Sequence, residues 1–380
     1  MRFLHVSDTH LGYRHYGLLE REQDFYKAFK EVIDIALEER VDAVLHGGDL
    51  FHSSNPSPKA YREAIVQLKR LKEKGIKFFI APGNHELPKS ESKGSPVRVL
   101  HEIELLKSPE DYWKPSVFTL GDVSLLVYSS WASGNLFIED QLRAAGGRVK
   151  IALAHLLLCD VTGAPARCES GWWAERIPRG YAYVALGDLH ARWERTIGGM
   201  KVVYPGATEF SSVSEYLEES NRYAVLGEVR GGEVEVQWVK LKGARPWVYL
   251  KGKEEEIVRQ LEGLRQREGD PPIVYVEITS GTSVGRRRIE DLLSSLLKGK
   301  KVLTYRYEQQ PTVQLKVERS WGERLSLEEV VRRLLKEERL VKAMMALLEE
   351  PERAKEFLGE LERDRALLLR LGKALEAKGR

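Results

Sequence analysis

Five short clusters of oxygen and imidazole donors follow one another along the chain: Asp8-Thr9-His10, Gly48-Asp49, Gly83-Asn84-His85-Glu86, a lone His155, and Gly187-Asp188-Leu189-His190. Carboxylate, carboxamide and imidazole groups brought to one place suit two adjacent hard or borderline divalent cations, which can clamp a phosphate and activate a water. Taken singly, most of these clusters are ordinary. A D-x-H recurs by chance, a Gly-Asp after a strand is usually a turn, and a lone histidine after an apolar run is usually packed in a core. Gly83-Asn84-His85-Glu86 is more specific, because glycine permits a tight turn from which the next residues project. Five clusters in order, each behind an apolar run, read as a binuclear metal site.

Those apolar runs are the elements that must position the donors. Residues 2–7, 43–47, 77–81, 151–154 and 183–186 read as strands, each ending at a cluster. Helical patterns at 23–39 and 58–74 separate the first three, with Pro58 near a helix start and Gly75 just past its end. Parallel strands with helical crossovers place their ends on one edge of a sheet, where open α/β folds build their sites. Later strands at 123–128, 201–204 and 233–239 come closer together, which predicts a layered α/β core pairing two sheets, flanked by helices.

The order D-x-H, G-D, G-N-H-E, H, G-x-x-H resembles that of the calcineurin-like metallophosphoesterases. The run Asp49-Leu50-Phe51-His52-Ser53-Ser54-Asn55-Pro56-Ser57-Pro58, with His10-Leu11-Gly12-Tyr13, is similar to the meiotic-recombination-eleven family of double-strand-break repair nucleases, called SbcD in bacteria. The resemblance is close over roughly residues 1–240 and extends beyond them in architecture only.

Carried over residue by residue, the resemblance implies that Asp8, His10, Asp49 and His190 hold one metal. Asp49, Asn84, His155 and Asp188 hold the other, with Asp49 bridging. His85 and His52 are the implied catalytic residues, His85 facing the phosphate and His52 lying on the substrate's other side. Two manganese ions are expected, with magnesium as the alternative, since mixed oxygen and imidazole donors suit manganese better. Ser53, Ser54, Asn55 and the helix start beyond them offer hydroxyls and N–H groups to DNA phosphate, and Tyr13, Arg14 and Lys89 are further candidates for backbone contacts. Asp188 departs from the family, which usually has histidine there. An extra carboxylate should raise the pH that activity requires and weaken selectivity for manganese over magnesium. His5 and His46 within strands, and His101 in a helical stretch, read as packing residues; His15 in the first loop is open to either role.

Composition bounds these readings. With 380 residues, two or three domains are expected. The predicted division is a nuclease domain over 1–242, a small α+β capping domain over 243–320 and a helical segment over 321–380, with a linker at 242–246. A formal charge of +3 leaves any DNA contact to local clusters. Cys159 and Cys168 are too few for a disulfide framework or a thiolate metal site, so an intracellular chain, cytoplasmic or nucleoid-associated, is expected. The first strand starts at residue 2, which argues against a signal peptide, and no apolar run approaches the ~18 residues of a membrane span. The charged fraction of 31% leans towards a thermophile.

The last sixty residues carry two apolar stripes, Val330, Leu334, Val341, Met345 and Leu348, then Phe357, Leu361, Leu368 and Leu375, separated at Pro351. The resemblance implies that this helix pair binds a Rad-fifty or SbcC-type coiled-coil ATPase, and that the nuclease core forms a homodimer. The implied activity is manganese-dependent phosphodiester hydrolysis at DNA ends, as a 3′–5′ duplex exonuclease and single-strand endonuclease. The alternatives are another binuclear phosphatase or small phosphodiesterase, and a catalytically weak DNA-end-binding scaffold.

Overall fold

Strands buried on both faces read as continuous apolar runs, and here they form the middle of the molecule. In chain order the strands of the core are β1 (Arg2–Val6), β2 (Ala43–His46), β3 (Lys77–Ile80), β4 (Ser116–Leu120), β5 (Val123–Tyr128), β6 (Val149–His155), β7 (Tyr183–Gly187), β8 (Trp193–Ile197), β9 (Met200–Tyr204), β10 (Arg222–Arg230) and β11 (Glu233–Leu241). The helices are α1 (Leu19–Glu38), α2 (Pro58–Glu73), α3 (Pro96–Glu102), α4 (Glu139–Ala144) and α5 (Val213–Glu218). The structure, a computed structural model, describes residues 1–88, 94–161, 172–264, 269–280 and 283–309. The expected C-terminal helix pair lies outside the described residues, as do Lys89 and Cys168.

Two sheets pair as expected. One has the order β11-β10-β1-β2-β3 and the other β4-β5-β6-β7-β9-β8. β1, β2 and β3 run parallel, as do β5, β6, β7 and β9. Period-two alternation divides the side chains. Phe3, Leu45 and Phe79 interleave with Leu125, Ile151, Leu153 and Val203 between the sheets. Leu4, Val6, Val44 and Ile80 face outward to Phe29 and Val32 of α1 and Leu68 and Leu71 of α2. Fully burying such a side chain contributes about 1.5–3 kcal/mol. The sequence reading did not single out β10, which inserts antiparallel between β1 and β11.

α2 begins where proline is tolerated. Ser57 caps it by accepting from the Ala60 N–H at 3.2 Å, and Gly75, at φ 73°, turns the chain beyond its end. Cys159, just past β6, is buried and disulfide-bonded. No helix among the described residues is long and apolar enough to cross a membrane.

Beyond the core, β12 (Trp247–Lys253), β13 (Ile273–Ser280) and β14 (Thr304–Gln309) form a parallel three-stranded sheet. Its face is covered by α6 (Glu254–Glu262) and α7 (Ser283–Lys298), with Ile257, Leu261, Val276, Ile289 and Leu293 in its own core. The segment read as a linker is tied down. Glu31 accepts from the Lys242 and Gly243 N–H groups at 2.7 Å each. Arg245 is buried in a two-pronged pair with Asp24, and its N–H donates to Glu209 at 2.9 Å.

Candidate metal centre

The parallel strands of both sheets end on one edge, and close backbone approach brings the edge together. At Gly187 an added Cβ would lie 2.2 Å from the Gly47 oxygen, so the ends of β2 and β7 can meet only without side chains. Gly83 plays the same part beside Asp49, whose Oδ1 would be 2.1 Å from a Cβ there. Asp8, His10, Asp49 and Asp188 all take left-handed backbone, with φ of 52°, 45°, 55° and 93°. Such a conformation costs non-glycine residues about 1–3 kcal/mol and persists where the surroundings impose it. Here the first two motifs are laced together: Asp8 N–H donates to Gly48 O at 3.0 Å, His10 N–H to Asp49 O at 2.9 Å and Leu11 N–H to Leu50 O at 2.8 Å.

The donors of all five clusters converge. Ligand atoms of Asp8, His10 and His190 lie within 4.8 Å of one another, as do those of Asp8, Asp49 and His155, and of His10, His52 and His85. Asp49 is central: its carboxylate is 4.0 Å from His10 Nε2, 3.7 Å from His85 Nε2 and 3.7 Å from His155 Nε2. His155 Nε2 also lies 2.9 Å from Asn84 Oδ1 and 3.6 Å from Asp188 Oδ1. The Asp188 N–H donates to Asp8 Oδ2 at 3.1 Å, while Asp8 Oδ1 is buried with no hydrogen-bond partner.

Hydrogen bonds on the far side of the rings aim the remaining nitrogens inward. His155 Nδ1 donates to Gly47 O at 2.8 Å, and His190 Nδ1 donates to Glu215 at 2.8 Å. His190 Nε2 then faces His10 Nε2 across 3.2 Å, and His155 Nε2 faces oxygens alone. Two imidazole nitrogens face to face, beside an orphaned carboxylate oxygen, call for a cation between them, so these residues fit a bound metal pair. The charges agree. Burial pushes the Asp8 carboxyl up to about 6. Burial opposes protonation of His155, yet Asp49, Asp8 and Asp188 together raise it to about 9. Burial and the neighbouring His190 hold His10 well below the usual imidazole range.

Two acidic residues with no assigned part in the sequence reading hold this arrangement. Glu86, fully buried, accepts from the N–H groups of Gly83 at 2.8 Å, Phe51 at 2.9 Å and Asp49 at 3.1 Å, binding the second motif to the third. Burial and the Asp49 charge raise it to about 8. Its place in the G-N-H-E cluster was a signal for it. Glu215 on α5 holds His190 and is itself paired with Arg222, which also donates to His190 O at 2.7 Å. Nothing in the local sequence marks Glu215.

The other candidates divide. His85 Nδ1 donates to His52 O at 2.7 Å, leaving Nε2 towards Asp49. His52 lies against His10 and His85, with ring centroids 5.4 and 5.1 Å away. Tyr13 stacks on His52 at 3.8 Å, and Arg14 is paired with Glu22. Ser53 Oγ accepts from Asn55 N–H at 3.2 Å in an exposed turn, and Ser54 adjoins it. His5 and His46 are buried packing residues bonded to Tyr183 and Thr9, and His101 is bonded to Ser108. His15 is buried in a ring stack with Tyr13 and Tyr16.

Comparison with known proteins accords with this geometry. Residues 1–175 match the calcineurin-like phosphoesterase family. DNA double-strand break repair protein Mre11 of Thermoplasma acidophilum is 31% identical over 296 residues, spanning 74% of this chain and 77% of that protein. The Mre11 protein of Saccharolobus solfataricus is 36% identical over 198 residues, 52% of this chain and 51% of that one. That of Methanococcus maripaludis is 32% identical over 291 residues, 73% and 78%. An edge of converging carboxylate and imidazole donors on a two-sheet core, with this similarity along most of its length, makes the chain a member of the Mre11 family of DNA double-strand break repair proteins, built on a calcineurin-like phosphoesterase domain.

Proposed function

We propose that this chain is a metal-dependent nuclease that hydrolyses phosphodiester bonds at DNA ends, with two manganese ions as its cofactor. The observation that carries the reading is the convergence of five motifs around the Asp49 carboxylate. Asp8, His10, Asp49 and His190 would hold one ion, and Asp49, Asn84, His155 and Asp188 the other. When bound, such a pair neutralises phosphate charge and lowers the pKa of water.

The chain's own residues supply the rest. His85 is tethered through Nδ1, so its Nε2 is the atom that can protonate the leaving oxygen as water's oxygen bonds to phosphorus. His52 flanks the phosphate from the other side. The exposed turn of Ser53, Ser54 and Asn55, beside the capped start of α2, offers hydroxyl and N–H donors to the DNA backbone. Arginines that would grip a phosphomonoester are missing beside the motifs: Pro82 precedes Gly83, and Leu50-Phe51-His52 follows Asp49. That favours a diester over a monoester.

By family likeness the activity is 3′–5′ trimming of duplex ends with single-strand incision. The chain acts inside the cell as a homodimer, and the segment 321–380 captures a coiled-coil ATPase. The test incubates the full chain with end-labelled duplex, hairpin DNA and a phosphomonoester, under manganese, magnesium or chelator. Cleavage of DNA with manganese, lost with chelator, is expected. Hydrolysis of the monoester with no cleavage of DNA would overturn the reading.

A further inference from the structure

Four aromatic rings form a column from the three-stranded sheet to the metal edge. Trp247, the first residue of β12, lies against His15 with centroids 6.1 Å apart and planes at 27°. His15 stacks on Tyr13 at 5.5 Å and 22°, and Tyr13 on His52 at 3.8 Å and 25°. His52 then meets His10 and His85.

The column is held by packing rather than by hydrogen bonds. Trp247 Nε1, His15 Nδ1 and His52 Nδ1 are all buried with no hydrogen-bond partner. A ring without a directional bond takes the orientation its neighbours allow. Trp247 does not belong to the core of its own sheet. It sits in a separate cluster with Phe210 and Ile273, against Tyr16 and Tyr216, where that sheet meets the phosphoesterase core. Arg306 of β14 lies 4.2 Å over the Tyr16 ring, adding a second hold from the same sheet.

We infer that Trp247 is a positioning residue for His52: seated between the two sheet systems, it fixes His15 and Tyr13, and through them the imidazole that flanks the substrate. This rests on the proposed nuclease reading only for His52's part in turnover; the positioning itself is independent of it. Because a displacement of about 1 Å at a reacting centre can cost up to a hundredfold in rate, a residue this far from the phosphate can govern kcat.

The test compares Trp247→Leu and Trp247→Phe in the full chain, alone and with His52→Ala. Trp247→Leu should move the ring resonance of His52, followed by selective carbon labelling of histidine at fixed pH. It should lower kcat about ten- to a hundredfold while leaving manganese stoichiometry unchanged. Trp247→Phe, which keeps a ring in the column, should restore most of both. With His52→Ala in place, Trp247→Leu should slow turnover no further. An unmoved His52 resonance, or equal slowing with and without His52, overturns the inference. Should the wild-type chain cleave no DNA, the nuclease reading fails, while the resonance shift still decides whether Trp247 positions His52.

Discussion

The metal edge and the junction around Trp247 are both buried, polar and rich in rings, yet they are held together differently. At the edge, Asp8, His10, Asp49 and Asp188 are aimed by their own left-handed backbone and by N–H bonds to neighbouring turns. At the junction, Arg245 is aimed by Asp24 and Glu209, and Trp247 by the rings of His15, Tyr16 and Tyr216, all across large sequence distances. A site built on backbone geometry leaves a short motif in the sequence. One built on side-chain partnership leaves scattered residues.

The sharpest break of the edge is Asp49→Ala. Removing the carboxylate that lies near His10, His85 and His155 should abolish binding of both metals and lower turnover about a thousandfold or more, since the pair supplies several kcal/mol to the transition state. His85→Ala should keep both metals and lose about 10²- to 10⁴-fold in rate. Calorimetric titration with manganese separates the two, and equal metal loss would contradict the division of roles.

Glu86 tests whether backbone donors hold the edge. Glu86→Ala leaves three N–H groups bare, at about 1–3 kcal/mol each, whereas Glu86→Gln keeps one accepting oxygen, turns its NH2 towards at least one of those donors and should lose only part of that. Denaturant unfolding of both variants gives the answer; similar losses would mean that one accepting oxygen does not hold the edge.

At the junction, Arg245→Ala takes the two-pronged partner from the buried Asp24, which keeps Arg21, and should cost about 1.5–3 kcal/mol in unfolding free energy. Arg245→Lys should recover little, because the two-pronged contact needs a guanidinium. Manganese stoichiometry should stay intact in both, and its loss would show that the two regions are one assembly.

Glu215→Ala should weaken manganese binding by about ten- to a hundredfold through His190 alone, an effect of a partner behind a ligand. Unchanged affinity would remove Glu215 from the site.

A further effect is one of pH. Burial lowers His5 from 6.5 to about 3, so the native state keeps it neutral while the unfolded chain protonates it. Its contribution to stability is therefore complete above pH 6.5 and is lost as pH falls towards 3. The Tm of His5→Gln should approach that of the wild type as pH is lowered from 7 to 4; a constant gap would contradict this.

The residues of the edge were legible because each sits within a few positions of a buried strand end, and the turns that expose them need glycine or a small polar residue at set spacing. Asp8, Asp49, Asn84, His155, Asp188 and His190 are brought together as their motifs implied. The sequence offers Tyr13 and Arg14 as candidates for DNA backbone contacts. What it does not encode is that Tyr13 stacks on His52 and Arg14 pairs with Glu22, contacts that depend on α1 and the loop before it folding back.

The sequence by itself determined the two sheets, the strand ends and the donor set, because period-two burial and turn chemistry act over a handful of residues. Only the tertiary structure decided that β10 slips between β1 and β11, that Arg245 in an apparent linker is clamped by Asp24, and that Glu215 stands behind His190. Those choices join residues 221 and 25 positions apart in the last two cases. Their energy comes from excluding water around a charge and its partner, which no local pattern encodes.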